Sequence, residues 1–136
     1  MRKTIFIASD HAGYSIKQLI VEHCHVVDLG TNSHNISVDY NDFAKKVVAS
    51  VLESDGIGIL ICQTGIGMSI AANRHKGIRA SLCHNIEIAK ITREHNNANV
   101  LVLSKNSINV LEIVKIFSET DFSDEERHIR RVKKLG

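Results

Sequence analysis

Cys62 ends an apolar run and is followed almost at once by Gly65 and Gly67, in the stretch LICQTGIGMSIAANRHKGIRA over residues 60–80. A cysteine can serve as packing, or as a thiolate that acts as base or nucleophile. Glycines let a backbone approach a ligand closely. A helix opening near Met68 or Ser69 would turn its unpaired N–H groups and positive dipole end toward the same place, which makes an anion site and favours a thiolate. That combination suits a step in which Cys62 takes a proton while an oxyanion forms, with Thr64 as a hydrogen-bonding neighbour. The loop matches neither G-x-x-x-x-G-K-[ST] nor G-x-G-x-x-G, so it carries no nucleotide fingerprint. A tight strand-to-helix turn without a ligand is the plain alternative.

The second chemically capable group is Ser9-Asp10-His11-Ala12-Gly13. Of the eight histidines, His23, His25, His34, His75 and His84 have no partner at a useful spacing and read as surface or boundary residues. His11, His95 and His128 each adjoin a polar or charged residue, respectively Asp10, Asn96 and Arg127. No metal signature such as H-E-x-x-H occurs, and three cysteines without a C-x-x-C pair argue against a zinc site or a disulfide framework. Cys24 and Cys83 read as packing residues.

These groups need elements to hold them. Short apolar runs lie at residues 4–8, 26–29, 58–61, 78–82 and 100–103, and amphipathic stretches at 14–23, 41–53, 68–74, 86–94 and 107–119. In YNDFAKKVVASVLES, Phe43, Val47, Val48 and Val51 recur with Ala44 at the three- and four-residue spacing of one helix face, and Asn41 or Asp42 can cap it. Strands apolar throughout, alternating with helices, predict a parallel sheet covered on both faces. The expected fold is α/β, a three-layer doubly wound (Rossmann-like) sheet of about five parallel strands, with a charged helical extension after Thr120. Residues 1–136 read as one domain. In such a sheet the working crevice lies beyond the carboxyl ends of the strands, where both chemical motifs fall.

Composition sets limits on partners. Hydrophobic residues make up 43% of the 136 and charged residues 24%, ordinary for a globular protein. No apolar run reaches the ~20 residues of a bilayer span, and the start MRKTIFI has no signal-peptide core, so a cytoplasmic protein without a membrane partner is expected. A formal net charge of +2, with no Trp to stack bases, does not suggest nucleic acid. The basic stretch RHIRRVKKLG reads either as a solvated helix face or as a local anion site.

Six segments, SDHAG, VDYNDFA, CQTGIGMSIAAN, KGIRA, REHNNANVLVL and ERHIRRV, together resemble the type B ribose-5-phosphate isomerases. They stand in the same order and at close spacings over nearly the whole chain. The wider group includes galactose-6-phosphate and allose-6-phosphate isomerases. The resemblance implies interconversion of ribose 5-phosphate and ribulose 5-phosphate, with Cys62 moving a proton between C1 and C2 through an enediolate. It implies that Gln63, Thr64, Gly65, Ile66 and Gly67 hold the sugar oxygens, and that His95, with Asp10, helps open the furanose ring. Asn96 would contact the sugar, Tyr40 would border the pocket, and His11, Arg127 and Arg131 would bind phosphate. No metal and no organic cofactor is implied. This chain departs from the pattern at Gln63, where the family has glycine, and at Asn106, where an arginine often contacts the substrate. It departs again at Glu125-Glu126, where small residues are common. The competing readings are a six-carbon sugar phosphate isomerase and a non-catalytic phosphosugar-binding regulator, although binding alone needs neither Cys62 nor His95.

Topology adds an expectation about assembly. Asp10, His11 and Cys62 belong at the carboxyl edge of the sheet, whereas His95 precedes the strand at 100–103 and belongs at the amino edge. Strands of about five residues at roughly 3.3 Å each put some 15 Å between the two edges. The helix over 107–119 returns to the amino edge, so the tail with Arg127 and Arg131 starts there too. A homodimer, or a dimer of dimers, with active sites shared between chains would bring the two halves together.

Overall fold

Every residue from Ile57 to Cys62 is buried, which a strand can satisfy only at the middle of a sheet with helices on both faces. The computed structural model, which describes residues 3–136, has that arrangement. In chain order its elements are β1 (Ile5–Ser9), α1 (Tyr14–His23), β2 (Val27–Asp28), α2 (Tyr40–Ser54), β3 (Ile57–Cys62) and α3 (Ile66–Asn73). There follow β4 (Ala80–Leu82), α4 (Ile86–Asn96), β5 (Val100–Ser104), α5 (Val110–Glu119) and α6 (Glu126–Leu135). All strand pairs are parallel and the order is β2-β1-β3-β5-β4.

The two faces have separate cores. On one, Ile20 of α1, Ala89 of α4 and Val110, Ile113, Val114 and Phe117 of α5 pack on Ile7, Ile59, Ile61, Leu101 and Leu103. On the other, Ala44, Val47, Val48 and Val51 of α2 and Met68 and Ala72 of α3 pack on Ala8, Leu60, Cys62, Val100 and Val102. These are four of the five residues of the expected helix face; the fifth, Phe43, is only partly buried against the same core. Each fully buried valine there contributes about 1.5–3 kcal/mol of transfer free energy. Right-handed crossovers account for this division, since a chain moving toward β2 and one moving toward β4 must put their helices on opposite faces.

The boundaries differ from the sequence reading in a few places, with local causes. Ser9 is the last residue of its strand rather than the first of its loop, while Cys62 ends β3 as expected. The third helix starts at Ile66, because Gly65 at φ 82° turns the chain into it in two residues fewer than expected. The second helix starts at Tyr40, after an extended Asp39, so neither Asn41 nor Asp42 caps it. The fifth begins at Val110, because Asn109 is left-handed at φ 55° and Ser107 is held in a turn by the Ser104 N–H. His95 lies inside the fourth helix, which runs on to a left-handed Asn97. β2 is short, but its pairing with β1 continues as Ser9 N–H donates to Gly30 O and Thr31 N–H to Ser9 O. Among the described residues no helix is long and apolar enough to cross a membrane.

Candidate active site

The chain leaves β1 toward β2 but leaves β3 toward β5 and β4, so the loops after β1 and β3 diverge and open a crevice at the carboxyl edge. Register sets its two sides level. Ser9 pairs with Ile61, and the Asp10 N–H donates to the Ile61 carbonyl at 3.1 Å. Asp10 is buried, and its Oδ1 accepts the Gly13 N–H at 2.9 Å, which ties the carboxylate to the start of α1. His11 Nδ1 lies 3.2 Å from the Val38 nitrogen. A backbone N–H can only donate, so Nδ1 accepts and the ring's proton sits on Nε2, left as a donor.

Cys62 is 5% exposed and packs in the core shared with Met68 and Val102, at the last position of β3. The loop after it turns on Gly65, where an added Cβ would face both an unfavourable φ and Leu82 Cδ1 at 2.5 Å. Thr64 Oγ1 accepts the Ile66 N–H at 3.2 Å, so the hydroxyl closes the turn into α3. At Gly67 a Cβ would come within 2.8 Å of the Tyr40 ring, which therefore lies directly on the first turn of α3. The Lys105 N–H donates to both Cys62 O and Gln63 O, at 3.1 and 3.2 Å, and brings the β5 loop with Asn106 to this edge. The structure thus gathers Asp10, His11, Tyr40, Cys62, the loop Gln63 to Gly67, and Asn106 at one end of the sheet.

His95, Asn96, Arg127 and Arg131 are not there. Cys62 pairs with Ser104, while Gly58 at the other end of β3 pairs with Val100, the first residue of β5. The four-residue difference in register corresponds to about 13 Å, and His95 lies before Val100 on the amino side. At that edge His95, Asn96, His128 and Arg131 line a cavity of about 230 Å³ between α4 and α6. The His95 and His128 rings stack with centroids 4.2 Å apart. Arg127 and Arg131 are exposed on α6, and Arg127 Nε is 3.8 Å from Glu125 Oε2. Each chain therefore carries two separated sets of polar groups.

Three residues behind the amino-edge set were not among the expected site residues. His128 is buried and its Nδ1 is 2.7 Å from the Ser123 hydroxyl. Arg93 is buried too, donating to Thr120 O, Ala98 O and Asn97 Oδ1 at 2.9, 2.6 and 2.9 Å, with its guanidinium over Phe117. Burial lowers its pKa, an effect opposed in part by Asp121. The sequence signals for them were the place of Arg93 in REHNNANVLVL and of His128, beside Arg127, in ERHIRRV; Ser123 had none. Among the described residues no group of three or more His, Cys, Asp or Glu side chains is arranged to hold a metal ion.

Known proteins share this architecture and sequence. The family model described as Ribose/Galactose Isomerase matches residues 5–135. The chain is similar to a ribose 5-phosphate isomerase from Thermotoga maritima, with 46% identity, a TM-score of 0.89, and 99% of this chain and 98% of that one covered. It is similar to ribose 5-phosphate isomerase B from Anaplasma phagocytophilum, with 45% identity, a TM-score of 0.87 and coverage of 99% and 97%. It also resembles ribose-5-phosphate isomerase B from Mycoplasma genitalium, whose structure has ribulose 5-phosphate bound, with 43% identity, a TM-score of 0.88 and coverage of 97% and 93%. With its fold shared and residues 5–135 matched, this chain belongs to the ribose/galactose isomerase family.

Proposed function

We propose that this protein is an aldose–ketose isomerase that interconverts ribose 5-phosphate and ribulose 5-phosphate through an enediolate. The observation that carries the reading is the place of Cys62, at the end of β3 between buried Asp10 and the glycine turn into α3. Isomerisation requires a base at the C1–C2 edge of the sugar and donors for the oxygen that gains charge. Cys62 takes the proton from one carbon and returns it to the other. The N–H groups of the loop from Gln63 to Gly67, with Thr64, hold the enediolate oxygens. Tyr40 borders the sugar, and Asn106 contacts it from the β5 loop. His11 donates from Nε2 to the phosphate.

His95 acts with Asp10 in opening the furanose ring, Asn96 contacts the sugar, and Arg127 and Arg131 grip the phosphate with planar guanidinium forks. An imidazole cannot span the sheet, so His95, Asn96 and the two arginines serve the crevice of a second chain. The reading is therefore of a cytoplasmic homodimer, or dimer of dimers, of one-domain subunits, with two equivalent shared sites and no cofactor. The separation of the two polar sets within one chain supports that assembly.

A coupled assay with ribose 5-phosphate, allose 6-phosphate and galactose 6-phosphate tests the substrate. Turnover of ribose 5-phosphate well above both hexose phosphates is expected, and equal or faster turnover of either would reassign it. Mixing inactive Cys62→Ala and His95→Ala subunits tests the shared site. Hybrids hold one intact site and should recover activity; none recovered despite demonstrated exchange of subunits would place the site within one chain.

A further inference from the structure

Three consecutive residues at the end of α4 are fastened to the chain that leads into α6. Arg93 Nε donates to Thr120 O at 2.9 Å, the Ser123 N–H donates to Glu94 O at 3.1 Å, and His95 stacks on His128 at 4.2 Å with 27° between ring planes. His95 itself is exposed, whereas His128 is 8% exposed and its Nδ1 is held by the Ser123 hydroxyl at 2.7 Å. An exposed histidine on a helix surface is free to change rotamer. A buried ring stacked against one of its faces, and fixed in turn by a hydroxyl anchored one residue away on the backbone, removes that freedom.

We infer that Ser123 and His128 are positioning residues that hold the His95 imidazole in its working orientation. The inference rests on the reading of His95 as the group that assists ring opening. Ser123 is the key member, because its backbone fixes it to Glu94 while its side chain fixes the His128 ring. His95 and its support thus form one rigid unit on each subunit, assembled before a substrate arrives.

Ring opening and proton transfer can be measured apart, which gives the test. Ribulose 5-phosphate carries its phosphate on the only hydroxyl able to close a furanose, so it is acyclic. Exchange of its C1 hydrogen with D2O reports Cys62 without ring opening, whereas turnover of ribose 5-phosphate starts from the closed furanose and needs both. Ser123→Ala should lower ribose 5-phosphate turnover about tenfold, part of the ~10²–10⁴-fold worth of an acid–base group, while C1 exchange changes less than about twofold. Ser123→Thr, which keeps the hydroxyl, should restore turnover, and His128→Phe, which keeps a stacking ring, should retain more than His128→Ala. In the NMR spectrum the His95 ring protons should lose their upfield ring-current shift in Ser123→Ala, a readout that requires no activity.

Unchanged turnover in Ser123→Ala, or equal loss of turnover and exchange in folded Ser123→Ala, overturns the positioning role. His95→Asn serves as the control. Should it keep full ribose 5-phosphate turnover, the ring-opening role of His95 fails and the support role with it. Should it lose turnover while the Ser123 and His128 variants do not, the support role alone fails.

Discussion

Arg93→Met tests how the amino-edge groups are held. The methionine keeps an apolar stem against Phe117 but removes the donors to Thr120 O, Ala98 O and Asn97 Oδ1. Hydrogen bonds to a charged group are worth about 1.5–3 kcal/mol each, which sets a ceiling of roughly 5–9 kcal/mol. Against that stands relief of the desolvation that depresses the Arg93 pKa, a penalty of several kcal/mol for a buried ion. The expected net loss is about 2–4 kcal/mol, less than the ceiling because of that offset. For a chain of 136 residues, about 3–4 °C of Tm corresponds to each kcal/mol, so Tm should fall by roughly 6–16 °C. Arg93→Lys should not rescue, because one ammonium cannot reproduce a fork reaching three acceptors on two segments. Calorimetry and urea unfolding of both variants, each repeated without substrate, give the comparison. A Tm within 2 °C of the parent for Arg93→Met would show that the three contacts do not hold the segment before α6, and would refute this account of Arg93.

The remaining expectations concern the crevice and the thiols. Cys62→Ala should reduce kcat by about 10²–10⁴-fold while inorganic phosphate still binds in isothermal titration; a loss of only a few-fold would mean that another group is the base. Gly65→Ala imposes a left-handed φ on a Cβ and presses Leu82, so it should cost about 1–2 kcal/mol for the backbone alone and lower activity as the loop shifts; parental stability in urea would contradict the turn geometry. Burial raises the Cys83 pKa, so the folded protein holds that proton more tightly than the unfolded chain. Its contribution to stability is complete below the ordinary value of 9.0 and is lost as pH rises toward the higher folded value. Stability measured from pH 8 to 11 should fall less steeply in Cys83→Ala, and an identical slope would remove Cys83 as a cause.

The sequence by itself determined the layers and the crevice. Apolar runs too short for helices, alternating with stretches of helical period, leave few folds other than a parallel sheet covered twice. In any such sheet Asp10 and Cys62 fall at the same edge. The all-apolar VLVL of β5 against the mixed ASL of β4 even carries the reason that β5 lies inside and β4 at the rim: an inner strand must be apolar on both faces. The rest of the strand order was not legible, because a local pattern does not say which neighbour a strand pairs with, and only closure of the layers decides that.

The support behind His95 was decided by tertiary structure alone. Nothing in RHIRR distinguishes a buried histidine from its exposed neighbours. Ser123 has no motif, and Arg93, although it opens REHNNANVLVL, has nothing in its spacing to mark it as buried. Their roles arise when α6 folds back along α4, which puts residues some thirty positions apart into contact. Local spacing encodes which groups share a strand end or a helix face. Contacts between elements far apart in sequence depend on how the layers close, and no short stretch of residues contains that information.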